Sequence, residues 1–192
     1  MTTTPDVFAS TTIPASTLPT TTIPATAGAP ASHGAIAAVL DRLARHRHEL
    51  LDRTRYAADP ALPRWHHRFT PGEAGTTDVE VWLLSWLPGQ ESPLHDHGGA
   101  AGAFTVLFGT LDETVVNRRT GTSADQLWTP GRLRSFGGEL VHRVGNDGDS
   151  PAVSLHVYAP SLDRMTRYRR SDIARADSAL VTTSVERAGD DW

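Results

Sequence analysis

Between Val79 and Tyr158 the chain is a succession of short β-branched and aromatic runs, each closed by Gly, Pro, Asn or Asp. Val79 to Leu87 ends at Pro88-Gly89, Ala103 to Phe108 ends at Gly109, and Leu111 to Asn117 runs into an Arg119–Thr122 turn. Arg132–Phe136, Glu139–Val144 and Ala152–Tyr158 continue the pattern, and one more strand is expected around Met165–Arg170. Runs this short have no room for a crossover helix between them, so parallel pairing is disfavoured. The pattern predicts a mostly β fold, an antiparallel sandwich or small barrel. At 192 residues the chain is long enough for one domain with a substantial core.

The ends read differently. Residues 1–32 hold ten Thr and five Pro, a single acid (Asp6) and no basic residue. Such a segment cannot bury enough apolar surface to offset the entropy of ordering, and it is expected to be a disordered tail. It lacks the basic and apolar blocks of a secretory signal. From Gly34, Ile36, Val39, Leu40, Leu43, Leu50 and Leu51 recur at helical spacing, with Ser32 placed to cap them. One amphipathic helix ending before Asp59-Pro60 is expected. The single domain is placed at 33–180, with a poorly ordered C-terminus over 181–192.

Composition narrows the chemistry. The formal charge is −4 with a pI near 6.1, which argues against nucleic-acid or anionic-membrane partners. No run approaches the length of a membrane span, and a cytoplasmic protein is expected. With no cysteine, disulfides, thiolate metal sites and cysteine nucleophiles are excluded. All 18 basic residues are arginine, so lysine-based Schiff-base chemistry is excluded too. Nine histidines remain for metal binding and proton transfer.

The most informative segment is His95-Asp96-His97, between Gly89 and Gly109. Side chains repeat every two residues along extended backbone, so both imidazoles face one side while Asp96 points away. His142, in the apolar run Val141–Val144, is a candidate third ligand. His67 would point opposite to His66. Trp82 and Trp86 are most simply core aromatics. His46 and His48, on the helix, are expected in solvent.

The spacing of Gly89, His95, His97 and Gly109, followed by His142 and Asn146, resembles the two signatures of the cupin superfamily. That resemblance implies a double-stranded β-helix (jelly-roll) barrel with an N-terminal helix or helices and a metal inside the barrel. Most metal-binding cupins add a glutamate shortly after His-x-His. Here that position is Gly102, which implies three neutral imidazoles as the ligand set. Four ordered blocks are similar to the cysteine dioxygenase type I family: Ser92–His97, Gly109–Thr114, His142–Asn146 and Pro151–Pro160. The similarity runs from about Arg64 to about Asp163.

That family implies Fe(II) held by His95, His97 and His142, with a small thiol and O2 as substrates and a sulfinic acid as product. It implies a hydrogen-bonded relay of Ser154, His156 and Tyr158. It places Arg68 against the substrate carboxylate, with His66 nearby. An arginine there favours L-cysteine; 3-mercaptopropionate or another small thiol is the alternative substrate. A non-catalytic cupin that binds a small acid is the alternative of another class. A tyrosine–cysteine cross-link, present in vertebrate members, cannot form here. The protein is expected to be a monomer. Deleting the tail is expected to leave melting temperature and turnover nearly unchanged, and a large drop in melting temperature on truncation would contradict this reading of the segment.

Overall fold

A computed structural model describes residues 32–170 and 180–187. Three helices, α1 (His33–Ala44), α2 (Arg47–Arg53) and α3 (Pro71–Ala74), accompany eleven strands. These are β1 (His66–Arg68), β2 (Glu80–Trp86), β3 (Leu94–His95), β4 (Ala101–Phe108), β5 (Leu111–Val116) and β6 (Ser123–Trp128). They continue as β7 (Leu133–Phe136), β8 (His142–Gly145), β9 (Ala152–Ala159), β10 (Arg164–Arg170) and β11 (Leu180–Arg187). They form two antiparallel sheets, ordered β1-β2-β9-β4-β7 and β11-β10-β3-β8-β5-β6. The mostly β, antiparallel architecture expected from the strand rhythm is present, and with it the double-stranded β-helix that the resemblance implies.

β9 shows how the layers are built. Every one of its residues is buried. Val153, Leu155 and Val157 pack outward with Ile36, Val39, Leu40, Leu43 and Leu50 of the two leading helices. Ala152 and Tyr158 pack inward with Trp86, Phe104, Val106 and Phe136. Period-two alternation thus gives one strand a helix-covered face and a barrel-facing face. The inward set carries Ser154, His156 and Tyr158.

The structure departs from the sequence reading in several places. The expected single leading helix is two, broken at Arg45–His46, where the His46 amide bonds the Leu43 carbonyl at 3.0 Å. No Gly or Pro marks the break. Leu50 nevertheless reaches the same outer core as α1. Strand β6 is absent from the sequence pattern because its residues are exposed up to Trp128 and show no apolar alternation; it exists through continuous pairing with β5. The C-terminal stretch expected to be poorly ordered from 181 instead forms β11 through Arg187, paired along β10. Residues 188–192, like the tail, lie outside the described residues. Ser32 belongs to the fold, because its Oγ accepts from the Ala35 amide at 3.3 Å and caps α1. The truncation that tests the tail therefore stops short of Ser32. Among the described residues no helix is long and apolar enough to cross a membrane.

Asn146 locks the turn between β8 and β9 to the end of β2. It is fully buried; its Nδ2 donates to the carbonyls of Trp86 (3.1 Å) and Ser150 (2.8 Å), and its Oδ1 accepts from the Gly148 amide (3.1 Å). Asn146→Ala would leave the buried Trp86 carbonyl without this partner, at ~1–3 kcal/mol, and release the partly exposed Ser150 carbonyl and Gly148 amide, so an overall loss of about 2–4 kcal/mol is expected. Urea unfolding checks it: an unchanged midpoint would show that the turn does not depend on this side chain.

Candidate metal centre

Three histidines converge inside the barrel. His95 and His142 sit directly opposite one another in the β3–β8 pair, and His97 follows two residues after His95. Their ring centroids are 4.8 to 5.0 Å apart, and one ligand nitrogen from each lies within 4.8 Å of the others. Relative exposure is 7% for His95, 1% for His97 and 2% for His142. The residues grouped from sequence as metal ligands are therefore together, and no other such cluster of His, Asp and Glu occurs among the described residues.

Each ring is oriented by what its far side meets. The His95 Nδ1–H donates to the Pro93 carbonyl at 2.8 Å, which turns Nε2 toward the centre. His142 Nδ1 meets Glu113 Oε1 at 2.8 Å, with the same effect. His97 is different: neither of its ring nitrogens has a hydrogen-bond partner, although both are buried. A buried imidazole without partners is costly. A metal ion accepting one of its nitrogens would relieve that cost, so the residues present fit a metal site. Asp96 points the other way, as expected. It accepts from the Gly98 amide (3.0 Å), the Thr166 amide (3.2 Å), the Tyr168 hydroxyl (2.7 Å) and Arg118, and so ties the His97 backbone to β10.

Burial disfavours charge on His95, His97 and His156. Burial, reinforced by neighbouring His142 and Arg64, lowers the His95 pKa to about 3. Burial and the surrounding histidines push His97 and His156 well below the ordinary histidine value. Burial opposes ionisation of Glu113, but the bonds to His142 and Arg134 outweigh it, and its pKa is lowered. The centre is thus three buried imidazoles with a carboxylate set behind one of them.

Gly102 explains why no fourth carboxylate enters. A Cβ at Gly102 would lie 2.6 Å from Phe136 Cζ and 3.0 Å from Tyr158 Cδ1. The space is taken by these two rings, which flank His97 with centroids 5.0 and 5.1 Å away. The glycine is required for that closure.

The β9 triplet forms a continuous chain beside the metal ligands. Ser154 Oγ lies 2.8 Å from His156 Nε2, and His156 Nδ1 lies 3.3 Å from the Tyr158 hydroxyl. Trp86, expected only to fill the core, adds a member: its indole N–H donates to Ser154 Oγ at 2.9 Å. An indole is donor-only, so Ser154 Oγ is the acceptor of that bond. Burial raises the Tyr158 pKa, so its hydroxyl stays protonated near neutral pH. The need of a buried indole N–H for a partner was the signal available for Trp86.

His66 and Arg68 lie on edge strand β1, opposite Leu84 and Trp82 of β2. The His66 ring sits 5.0 Å from the Trp82 ring, and the Arg68 guanidinium 5.7 Å from it. Arg68 Nε pairs with Glu80 Oε1 at 2.9 Å, and its side chain is 52% exposed. His67 turns outward to Glu73. Arg64 went unnoticed in sequence. Its guanidinium lies 4.7 Å from the Trp86 ring centroid, its Nε is buried without a partner, and its charge acts on His95, His156 and Tyr158. A cavity of about 560 Å³ opens here, its wall including Leu62, Arg64, His66, Gln90, Pro93 and Arg167.

If the three imidazoles hold a metal together, losing any one removes it. The native protein is expected to bind one divalent transition-metal ion per chain, and His95→Ala, His97→Ala and His142→Ala to retain little while still folding. Metal analysis after dialysis, with circular dichroism as the folding control, reads this out; full metal content in any variant would break the triad.

Among solved structures, the protein TT1209 from Thermus thermophilus is 25% identical over 58% of this chain and 94% of that chain, with a TM-score of 0.48. A protein with a double-stranded β-helix domain from Klebsiella pneumoniae subsp. pneumoniae is 21% identical over 58% of this chain and 86% of that chain, with a TM-score of 0.45. An oxalate oxidase is 18% identical over 53% of this chain, which spans only 54% of that chain, with a TM-score of 0.46. The sequence model described as cysteine dioxygenase type I matches residues 66–171, a span that contains all three histidines, the Ser154–His156–Tyr158 chain and Arg68. More than half of the protein lies within that match, and the chain belongs to the cysteine dioxygenase type I family.

Proposed function

We propose that this protein is an iron-dependent thiol dioxygenase that converts L-cysteine and O2 into cysteine sulfinic acid, both oxygen atoms ending on sulfur. The observation that carries the reading is the buried cluster of three imidazoles, one of them unpartnered, beside a tyrosine hydroxyl held by a hydrogen-bonded chain. Fe(II), once bound by His95, His97 and His142, supplies the O2 chemistry that no side chain here can supply. Catalysis by Ser154, His156 and Tyr158 is positional and electrostatic. The chain fixes the tyrosine, which offers a hydrogen bond to the reacting oxygens. Phe136 and Phe104, packed on His97 and His156, keep the centre dry. A monomer working in the cytoplasm completes the proposal.

Arg68 is the residue assigned to the substrate carboxylate, with His66 beside it. Glu80, itself buried and bonded to the Trp82 indole (2.7 Å) and the Leu162 amide (2.8 Å), holds the Nε side of the guanidinium. The terminal nitrogens can then meet a carboxylate end-on, a geometry suited to a bidentate pair. A second reading gives the carboxylate to Arg64, because its buried Nε has no partner and it lines the cavity.

Anaerobic reconstitution with Fe(II), followed by O2 uptake with L-cysteine, 3-mercaptopropionate and cysteamine, tests the function. L-cysteine is expected to be the best of the three, and cysteamine, without a carboxylate, a poor one. Preference for 3-mercaptopropionate moves the assignment to that thiol, and no uptake with any thiol leaves the acid-binding cupin. Losing a hydrogen bond to a charged group costs about 1.5–3 kcal/mol. Arg68→Ala is therefore expected to lower kcat/KM for cysteine roughly 10- to 150-fold, at 1.4 kcal/mol per tenfold. Unaltered kinetics in Arg68→Ala with a loss of that size in Arg64→Ala transfers the role to Arg64.

A further inference from the structure

The block Gly109–Thr114 sets one carboxylate, Glu113, against the ring of His142. Glu113 is 1% exposed, in the wall of the barrel on β5. It lies opposite Val144 of β8, on the face it shares with His142 across the pair. One carboxylate oxygen meets His142 Nδ1 at 2.8 Å. The other accepts from the Trp128 indole at 3.0 Å and from Arg134 Nε at 2.9 Å. All three contacts approach a carboxylate from the donor side, and one comes from a guanidinium. A buried glutamate held this way is an expensive feature to build for packing alone.

Its position answers a question posed by Gly102. Three neutral imidazoles leave a divalent ion's charge uncompensated. Phe136 and Tyr158 occupy the space that a carboxylate at position 102 would need. Glu113 supplies a negative charge one residue removed, behind the ring of a ligand. By accepting the Nδ1 proton it sets the His142 tautomer and draws that proton off the ring, which makes Nε2 a stronger donor. Arg134 opposes it from the far side and tempers the charge that reaches His142.

We propose that Glu113 is a positioning residue that tunes the metal through His142, replacing at second hand the carboxylate ligand that Gly102 excludes, with Arg134 as its counterweight. The inference rests on the metal site proposed above. It makes opposite predictions for the two partners, which damage to the fold would not. Removing the Glu113 charge disfavours the higher oxidation state, and removing the Arg134 charge favours it.

The test uses the full chain loaded with iron, native and as Glu113→Gln and Arg134→Met. Iron affinity is read by competition with a chelator, and the ferric/ferrous potential by mediated spectroelectrochemistry. Glu113→Gln is expected to bind Fe(II) roughly 10- to 100-fold more weakly, the range typical for loss of such a partner. Its ratio of ferric to ferrous affinity should fall about tenfold, a rise of about 59 mV for a one-electron couple. Arg134→Met, with a side chain one quarter exposed in the native protein, should shift the potential downward. Shifts of the same sign in both variants, or none in either, overturn the inference while leaving the metal site intact. Should Glu113→Gln fail to fold, Arg134→Met alone decides, and an unchanged or raised potential counts against it. A native chain that binds no iron overturns the metal reading and this inference together.

Discussion

The structure depends on the burial of three imidazoles that converge on one point. Burial holds the His97 pKa well below the ordinary histidine value, and the ring has no protein partner for either nitrogen. Nothing in the hydrogen-bond network holds its ring in place. Its orientation comes instead from Phe136 and Tyr158, packed on its sides, and from Asp96, which fixes the backbone beside it by four bonds to Gly98, Thr166, Tyr168 and Arg118. That is preorganisation by shape, with the chemistry left to whatever occupies the centre.

The second constraint is that β9 serves two cores. Its outward residues bind the leading helices to the sheet, and its inward residues form the relay. A one-residue slip would send Ser154, His156 and Tyr158 into the helix-packing layer and Val153, Leu155 and Val157 into the barrel. Full-length pairing with β2 on one side and β4 on the other holds the register. Stability and site geometry therefore rest on the same set of hydrogen bonds, and Trp86, at the end of β2, anchors the far end of the relay.

What the sequence revealed follows from the range of each signal. His95 and His97 were legible because alternation along extended backbone is local, and the β9 triplet for the same reason. The three-histidine set needed the similarity of ordered blocks, since nothing local pairs His142 with His95. Arg64, Trp86 and Glu113 escaped because their roles come from elements far apart in the chain: Trp86 meets Ser154, and Glu113 meets His142, Trp128 and Arg134. Among the strands, β6 lacked an apolar face and β1 and β3 are too short to show a period. The break between α1 and α2 carries no breaker residue, so helical periodicity ran across it unmarked.

The dioxygenase proposed above would place both atoms of O2 on the sulfur of a small thiol. The most direct measurement is mass spectrometry of the product formed by the Fe(II)-loaded protein from L-cysteine under heavy-isotope O2. The account predicts cysteine sulfinic acid carrying two heavy oxygens, formed by the native protein and lost in His97→Ala. A product with one heavy oxygen, cystine alone, or equal sulfinate from the native protein and His97→Ala would contradict it.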